Sequence, residues 1–525
     1  MKNILCLSLA LALLTLGGSA MPEAKGAITV QIGQNFKGAT FNVDAFAFPP
    51  DSDGAVGPNH FVQFVNSRVT VYDKSTGTPV QTMTDGIFWQ NTGINLGGLN
   101  VSDPRIIFDR LTQRWFATQV DFNRTTLSSN QFLVAVSTTA DPTGPWHAVA
   151  FQADPAGNFA DYPTFGFDAN GFYMGANMFS PAGSFLGVAL TSIPKADLLQ
   201  TVPTAANRTY SGIMATAWGF TLQPVISFNA TNGPEPVIEA SSSGTDFQPH
   251  STLTSVLVSN AVTASASFIG LTNITVPVWN VPLNPPQPNG STTLDDGDSR
   301  IGSAVYQAGN FFYAVHSSQV RARAAIRWYK LNAGNRALIE SGTISDASLN
   351  LFYPSIAAND NGYVVIGFNG CSTNTFISSY AVAGETVNGS TIFGSKILLK
   401  AGVANYSLTD SNGNNRWGDY SATSVDPLNP NHFWTIQEYP SSTNAWSTQI
   451  TELQISPVLP ALQIALSGAN AVLSWTTNAP DFTLQSNNNL STTNWITVTN
   501  VPAIVGAQFV VSNTLAGIEY YRLKK

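Results

Sequence analysis

The stretch 415–439, NRWGDYSATSVDPLNPNHFWTIQEY, decides the architecture. An acidic residue, Asp419, leads a short apolar run to Val425, a polar turn spans 426–431, and an aromatic-led run closes it from Phe433 to Ile436. Two such runs joined by a Pro/Asn turn read as one antiparallel hairpin. Weaker copies recur along the chain, the signature of a repeat architecture. They read VGPNHFVQFV around Phe61, IIFDRLTQRWFATQ around Trp115, FGFDANGFYMGA around Phe172 and ISFNATNGPEPVIEA around Pro236. SAVYQAGNFFYAVHS around Phe311, IAANDNGYVVIGF around Tyr363 and TSVDPLNPNHFWTI around Phe433 complete the set. Successive anchors lie 54, 57, 64, 75, 52 and 70 residues apart. Pro-Asn-His-Phe recurs verbatim at 58–61 and 430–433.

Further short strands fill the intervals, such as 131–137, 185–190, 252–258, 326–331 and 375–382, while helical periodicity is confined to a turn near Lys195. Units of about 61 residues over 27–456 suit four-stranded antiparallel sheets, and sheets repeated radially make a propeller. The expected fold is all-β, a seven-bladed β-propeller over 27–455. Six blades is the second choice, because the copy at Pro236 puts a proline at a strand start. Pairing of 29–32 with 447–453 is expected to close the ring. Residues 456–460, SPVLP, read as a linker. Alternating runs beyond it predict a small β-sandwich module over 461–525, with Trp475, Phe482, Leu484, Trp495 and Tyr521 in its core.

Lys2, an apolar run over 4–16 and the small residues 17–20 read as a secretory signal peptide over 1–20, too short to span a bilayer. The expectation is a secreted or cell-surface protein without a transmembrane segment. Cys6 falls in that leader and Cys371 is then alone, so stability must come from an apolar core. Net charge is −8 and only 10% of residues are charged. Without a basic stripe to neutralise phosphate, nucleic acid is excluded as a partner, and extracellular polysaccharide or a surface protein fits better.

Short stretches such as Asp161-Tyr162-Pro163 and Asp419-Tyr420-Ser421 open the repeats. In this respect residues 45–456 resemble exported bacterial propellers of the broad sialidase-like superfamily. The superfamily's Asp-box is absent as such; Ala358-Asn359-Asp360-Asn361-Gly362 is the nearest approach and lacks its Ser and Trp. The resemblance implies three arginines clamping a substrate carboxylate, for which Arg105, Arg300 and Arg416 stand. It also implies a tyrosine nucleophile activated by a glutamate, for which Tyr353 or Tyr420 with Glu438 or Glu239 stand. Residues 462–525 are similar to small terminal β modules of exported bacterial proteins.

In a propeller, the first strand of each blade lines the central channel, so residues just before those strands meet at one mouth. Asp51, Asp53, Asp103, Asp161, Asp298 and Asp419 are the candidates for an acidic rim, able to orient sugar hydroxyls or to provide the two carboxylates of glycoside cleavage. The competing reading of each is a turn cap, and of each arginine a local salt bridge to the Asp within three residues. Asp410, Asn412 and Asn414 present oxygens at alternate positions as a calcium loop begins, making Ca2+ a candidate structural ion, although Ser421 stands at the twelfth position. Asp295, Asp296 and Asp298 form a second dense acidic loop. His60 and His432 read as turn or packing residues, His316 as a strand residue. Trp89, Trp218 and Trp417 are sugar-stacking candidates if exposed and packing residues otherwise. The expected function is ligand binding through the channel mouth, with a sialidase-like glycoside hydrolase or lyase as the alternative. A third reading is a scaffold with 91–102 and 273–298 as contact loops.

Overall fold

The computed structural model describes residues 28–525 except 127, 129, 230–232, 241–247, 290, 291, 297, 459, 478, 480, 481, 516 and 525. The leader expected over 1–20 lies outside the described residues. Regular structure among the described residues is almost all β, arranged as consecutive antiparallel meanders in a propeller-like fold. Asp53–Val56, His60–Val65, Arg68–Asp73 and Pro79–Met83 pair in chain order, and so do Asn100–Asp109, Arg114–Phe122, Gln131–Ser137 and Trp146–Gln152. The later meanders begin at Phe159–Phe167, Gln223–Ile226, Val305–Ala308, Asn350–Ala358 and Ala422–Val425.

Each first strand contacts the first strand of the next meander, and Ala422–Val425 contacts Asp53–Val56, so the inner strands close on themselves. Three of them run parallel within bonding distance, with Phe167 opposite Ile226, Val225 opposite Val305 and Ile226 opposite Tyr306. Neighbouring sheets are glued by apolar faces: Phe116 stacks on Phe172 and packs on Phe167 across two meanders, all three fully buried. Burial of each such side chain contributes about 1.5–3 kcal/mol.

Ile28–Thr40 joins the last meander by pairing antiparallel with Ala445–Pro457, from Ile28 opposite Pro457 to Thr40 opposite Ser447. The closing strand is longer than the expected 29–32, because register shifts after Ile32 and Lys37 break the period-two pattern. Gly33 marks the first shift, where a Cβ would lie 2.0 Å from Glu452 Oε2. The copy at Pro236 is a true hairpin strand, Glu235–Glu239, with Pro236 opposite Leu257. The helical hint at Lys195 is one turn, Lys195–Leu198, whereas the helix Asp85–Asn91, capped by Thr84 accepting from the Ile87 N–H, has no counterpart in the sequence reading.

Strand Ala445–Pro457 runs through Ser456 and Pro457, two residues into the expected linker. Beyond it lie two small antiparallel sheets, one of Gln463–Ser467, Asn470–Thr476, Gln508–Thr514 and Ala503–Val505, the other of Ile496–Thr497, Thr483–Asn487 and Tyr520–Lys524. Leu473, Trp475, Leu484 and Val511 from both sheets form one apolar cluster, with Phe482 and Tyr521 at its edge. Trp495 is only half-buried, and the Arg522 guanidinium lies 4.3 Å from its ring centroid.

Candidate functional site

The inner strands begin with a shared backbone irregularity. In three meanders the ladder skips two residues, between Ser102 and Arg105, Asp161 and Thr164, and Phe352 and Ser355. The skipped pairs are Asp103-Pro104, Tyr162-Pro163 and Tyr353-Pro354. Proline removes the ladder N–H, and the residue before it takes a positive φ: 59° at Asp103, 54° at Tyr162 and 48° at Tyr353. Asp51 (49°) and Thr221 (74°) take the same region before their strands. Such angles in tyrosine and threonine are strained and persist only where the surroundings enforce them.

Side-chain bonds tie these segments across meanders. Asn66 Nδ2 donates to Asp51 Oδ2 at 2.7 Å, the Asp103 N–H to Asn66 Oδ1 at 3.1 Å, and the Tyr162 N–H to Asp103 Oδ2 at 3.0 Å. Tyr162 Oη donates to the Asp419 carbonyl at 3.1 Å, and Tyr420 Oη to the Pro104 carbonyl at 2.9 Å. Above them opens a basin of about 1740 Å³. Asp51, Asp103, Asp161, Asp298 and Asp419 line it together with Arg300 and Arg416, and so do Asp295 and Asp296 of the second acidic loop. Asp85 and Arg124 line it as well and were not singled out from sequence; nothing in their local pattern distinguishes them. Phe46 and Phe48 are 66% and 40% exposed and line the basin too, as do Phe220 and Leu283. The dipeptide Pro49-Pro50 after an aromatic run was the available signal for a projecting lip.

Two rim candidates lie elsewhere. Asp53 and Arg105 are buried beneath the basin and do not line it. Arg105 Nη1 is 3.7 Å from Asp53 Oδ2 and donates to the Gly302 carbonyl at 2.9 Å, while Nε donates to the Pro163 carbonyl at 3.3 Å. Its guanidinium carbon sits 3.3 Å from the Tyr420 ring centroid. The remaining gap beside it is only about 20 Å³, and a hydroxyl network of Ser355, Ser421 and Thr423 fills the next layer, so the basin is blind at its floor. Arg105 therefore does not join Arg300 and Arg416 on the basin surface. Those two already hold carboxylates: Arg300 Nη2 is 2.7 Å and Nε 3.1 Å from Asp298 Oδ2, and Arg416 Nη2 is 3.2 Å from Asp419 Oδ2. For Arg300 and Arg416 the local salt bridge, the competing reading, is what forms, whereas Arg105 faces Asp53 rather than its sequence neighbour Asp103.

Crowding and burial set the electrostatics. Asp51 is driven well above the usual carboxyl range, by burial first and then by the charges of Asp419 and Asp103. Burial, with Asp103 next, pushes Asp161 up to about 7. Asp419 rises to about 6 through burial, with Arg416 pulling it back. Burial also lifts Asp296 far up, reinforced by Asp295, and takes Asp53 to about 7 against the pull of Arg105.

Tyr420 spends its hydroxyl on Pro104, and the Tyr353 hydroxyl is buried without a partner. Glu438 and Glu239 are each pushed to about 8 by burial and line no part of the basin. Asp410 accepts from the N–H groups of Asn412 and Asn414, at 2.8 and 2.9 Å, and from Asn414 Nδ2 at 3.1 Å, which lowers its carboxyl below the usual value. With its oxygens turned to amides of its own loop, that trio fits a closed turn better than a calcium cage. Among the described residues no group of three or more His, Cys, Asp or Glu is placed to hold a metal. Trp89 and Trp417 are fully buried, donating to Gln119 Oε1 and Asn369 Oδ1, so neither is a stacking platform, and Trp218 is half-buried. His432 pairs with Glu452 at 2.7 Å, and His316 is buried against Trp279 and the Tyr329 hydroxyl.

No family model matches the chain, and no curated protein matches it. Among solved structures it is similar to a protein of unknown function from Dyadobacter fermentans at 9% identity, covering 68% of this chain and 95% of that one with a TM-score of 0.36. It is similar to the Cellvibrio cellulosa α-L-arabinanase at 11% identity, 67% and 95% coverage and a TM-score of 0.31. For the Dos1 propeller the figures are 10% identity, 81% and 95% coverage and 0.33.

Proposed function

We propose that the chain is an exported seven-bladed β-propeller carrying a small C-terminal β-sandwich module, and that its basin binds an extracellular polysaccharide. One observation carries the reading: carboxylates from separate meanders, Asp51, Asp103, Asp161, Asp298 and Asp419, share one large basin. Carboxylate oxygens accept from sugar hydroxyls, and the exposed faces of Phe46 and Phe48 remove the C–H faces of sugar rings from water. A blind floor at Arg105 makes this a surface cleft suited to a chain lying across it. The leader over 1–20 and the low surface charge support an extracellular partner. A glycan array followed by polysaccharide pull-down tests the reading, with Asp103→Ala expected to abolish retention. Retention no better than background across neutral, basic and acidic polysaccharides would sink it.

A second reading, a glycoside hydrolase or lyase, is favoured by Asp161. A carboxyl raised to about 7 is still partly protonated at neutrality, as a general acid must be, and Asp419 shares the same basin. Release of new reducing ends from a bound polysaccharide, lost in Asp161→Asn, separates catalysis from binding.

A further inference from the structure

The charges of the basin do not balance. Nine aspartates and three arginines line it among the described residues, a formal excess of six negative charges once every aspartate is ionised. Arg300 and Arg416 are already paired with Asp298 and Asp419, while Arg124 is exposed and donates to the neutral Asn100 Oδ1 at 3.0 Å. A carboxylate-bearing sugar would add to the excess, with Arg300 and Arg416 already holding carboxylates. A neutral sugar would bring hydroxyl donors and no charge.

Two oxygens point to what is missing. Asp51 and Asp296 are 1% and 2% exposed, both line the basin, and Asp51 Oδ1 and Asp296 Oδ2 receive no hydrogen-bond donor. Buried carboxylate oxygens are normally satisfied, because each has lost its water. Burial and neighbouring carboxylates, Asp419 and Asp103 for Asp51 and Asp295 and Asp298 for Asp296, favour a proton on each, and a bound cation would take the place of those protons. An ammonium group has three donors and the charge in one compact head. On a sugar ring it also keeps the C–H face that Phe46 and Phe48 cover.

We infer that the basin selects a polysaccharide bearing free, protonated amines, an amino sugar polymer rather than its N-acylated, neutral or uronic counterpart, with Asp51 and Asp296 as the amine-facing carboxylates. The inference rests on the polysaccharide reading above and names its ligand class.

Calorimetric titration of the full chain at about pH 6, where alkyl amines are charged, tests it with four hexamers: β-1,4-linked glucosamine, N-acetylglucosamine, galacturonic acid and lysine. The glucosamine hexamer is expected to bind at least about tenfold tighter than the acetylated one, the difference shrinking as salt screens the charges. Asp296→Asn, and separately Asp51→Asn, each checked for folding by circular dichroism, is expected to reduce that preference several-fold. Equal affinity for glucosamine and N-acetylglucosamine overturns the inference and leaves the polysaccharide reading standing. Tighter binding of galacturonate overturns it in the same way. Hexalysine binding as tightly as the glucosamine hexamer overturns the sugar as the amine's carrier. Failure of every sugar overturns both readings at once.

Discussion

Arg105 is the side chain on which the floor of the basin stands, and replacing it with methionine isolates its charge from its bulk. Its guanidinium bonds two carbonyls, Pro163 and Gly302, covers Tyr420 and faces Asp53, all with 5% of the residue exposed. Loss of two charge-assisted bonds and a desolvated ring contact is worth roughly 3–5 kcal/mol. A second component depends on pH. Burial raises Asp53 to about 7 while Arg105, and the N–H groups of Ile106 and Gly54, pull it down; Tyr306 and Tyr420 are the titratable neighbours. A carboxyl raised in the folded state contributes stability below its ordinary value, and that contribution is lost as pH rises through the folded value. Without Arg105 the folded value climbs further, so the loss deepens above about pH 7. Each further unit is worth about 1.4 kcal/mol. The Arg105→Met penalty is thus expected to be roughly 3 kcal/mol at about pH 5.5 and to grow by roughly 1–2 kcal/mol at about pH 8.5. Guanidinium unfolding followed by tryptophan fluorescence at both pH values measures it. Adding Asp53→Asn should remove the pH-dependent part alone. A penalty equal at both pH values, or one untouched by Asp53→Asn, refutes the assignment of Arg105 as the counter-charge beneath the basin.

Glu239 is fully buried, pushed to about 8 by burial, and its Oε1 has no donor. Between its ordinary value and about 8 the unfolded chain ionises this carboxyl while the folded one cannot, so Glu239→Gln should stabilise, and by roughly 2–3 kcal/mol more at about pH 8.5 than at about pH 6, read by thermal melts. A Cβ on Gly166 would lie 2.4 Å from the Val225 carbonyl and 2.7 Å from that of Pro224, backbone of the adjacent inner strand. Gly166→Ala should therefore lower stability by roughly 1–3 kcal/mol, seen as a lower denaturant midpoint. A chain ending at Val458 keeps the closing strand and drops the terminal sheets with their own apolar cluster. Its main unfolding transition should shift by less than about 1 kcal/mol, and a large cooperative loss would show that the two parts fold together.

Hairpin repeats were legible because a meander needs the same runs each time: a short apolar strand, a polar turn, an aromatic opening the second strand. The anchors Phe61, Trp115, Phe172 and Phe433 are fully buried between sheets, which is why selection of that residue type kept the period visible. Closure was only half legible. Bulges at 33–34 and 38–39 shift the faces of Ile28–Thr40, so alternation ends after five residues although pairing continues to Thr40.

The basin was legible to the extent that its aspartates precede inner strands, yet sequence position alone does not separate a rim from a floor. Asp51 and Asp53 differ by two residues, and so do Asp103 and Arg105, which in an extended strand would place each pair on one face. The left-handed residue at Asp51 and the skipped Asp103-Pro104 pair remove that equivalence: the first member of each pair lines the basin and the second is buried beneath it. Tyr162-Pro163 makes the same step in the next meander, where Tyr162 presents its ring to both the buried Arg105 and the basin's Arg300, at 5.3 and 4.5 Å. Backbone strain at the strand starts thus converts one sequence pattern into two layers, a floor closed by the Arg105–Asp53 pair beneath an acidic mouth. The amine selectivity inferred for the mouth depends on that separation, since an Arg105 free to reach the surface would offset part of its negative charge.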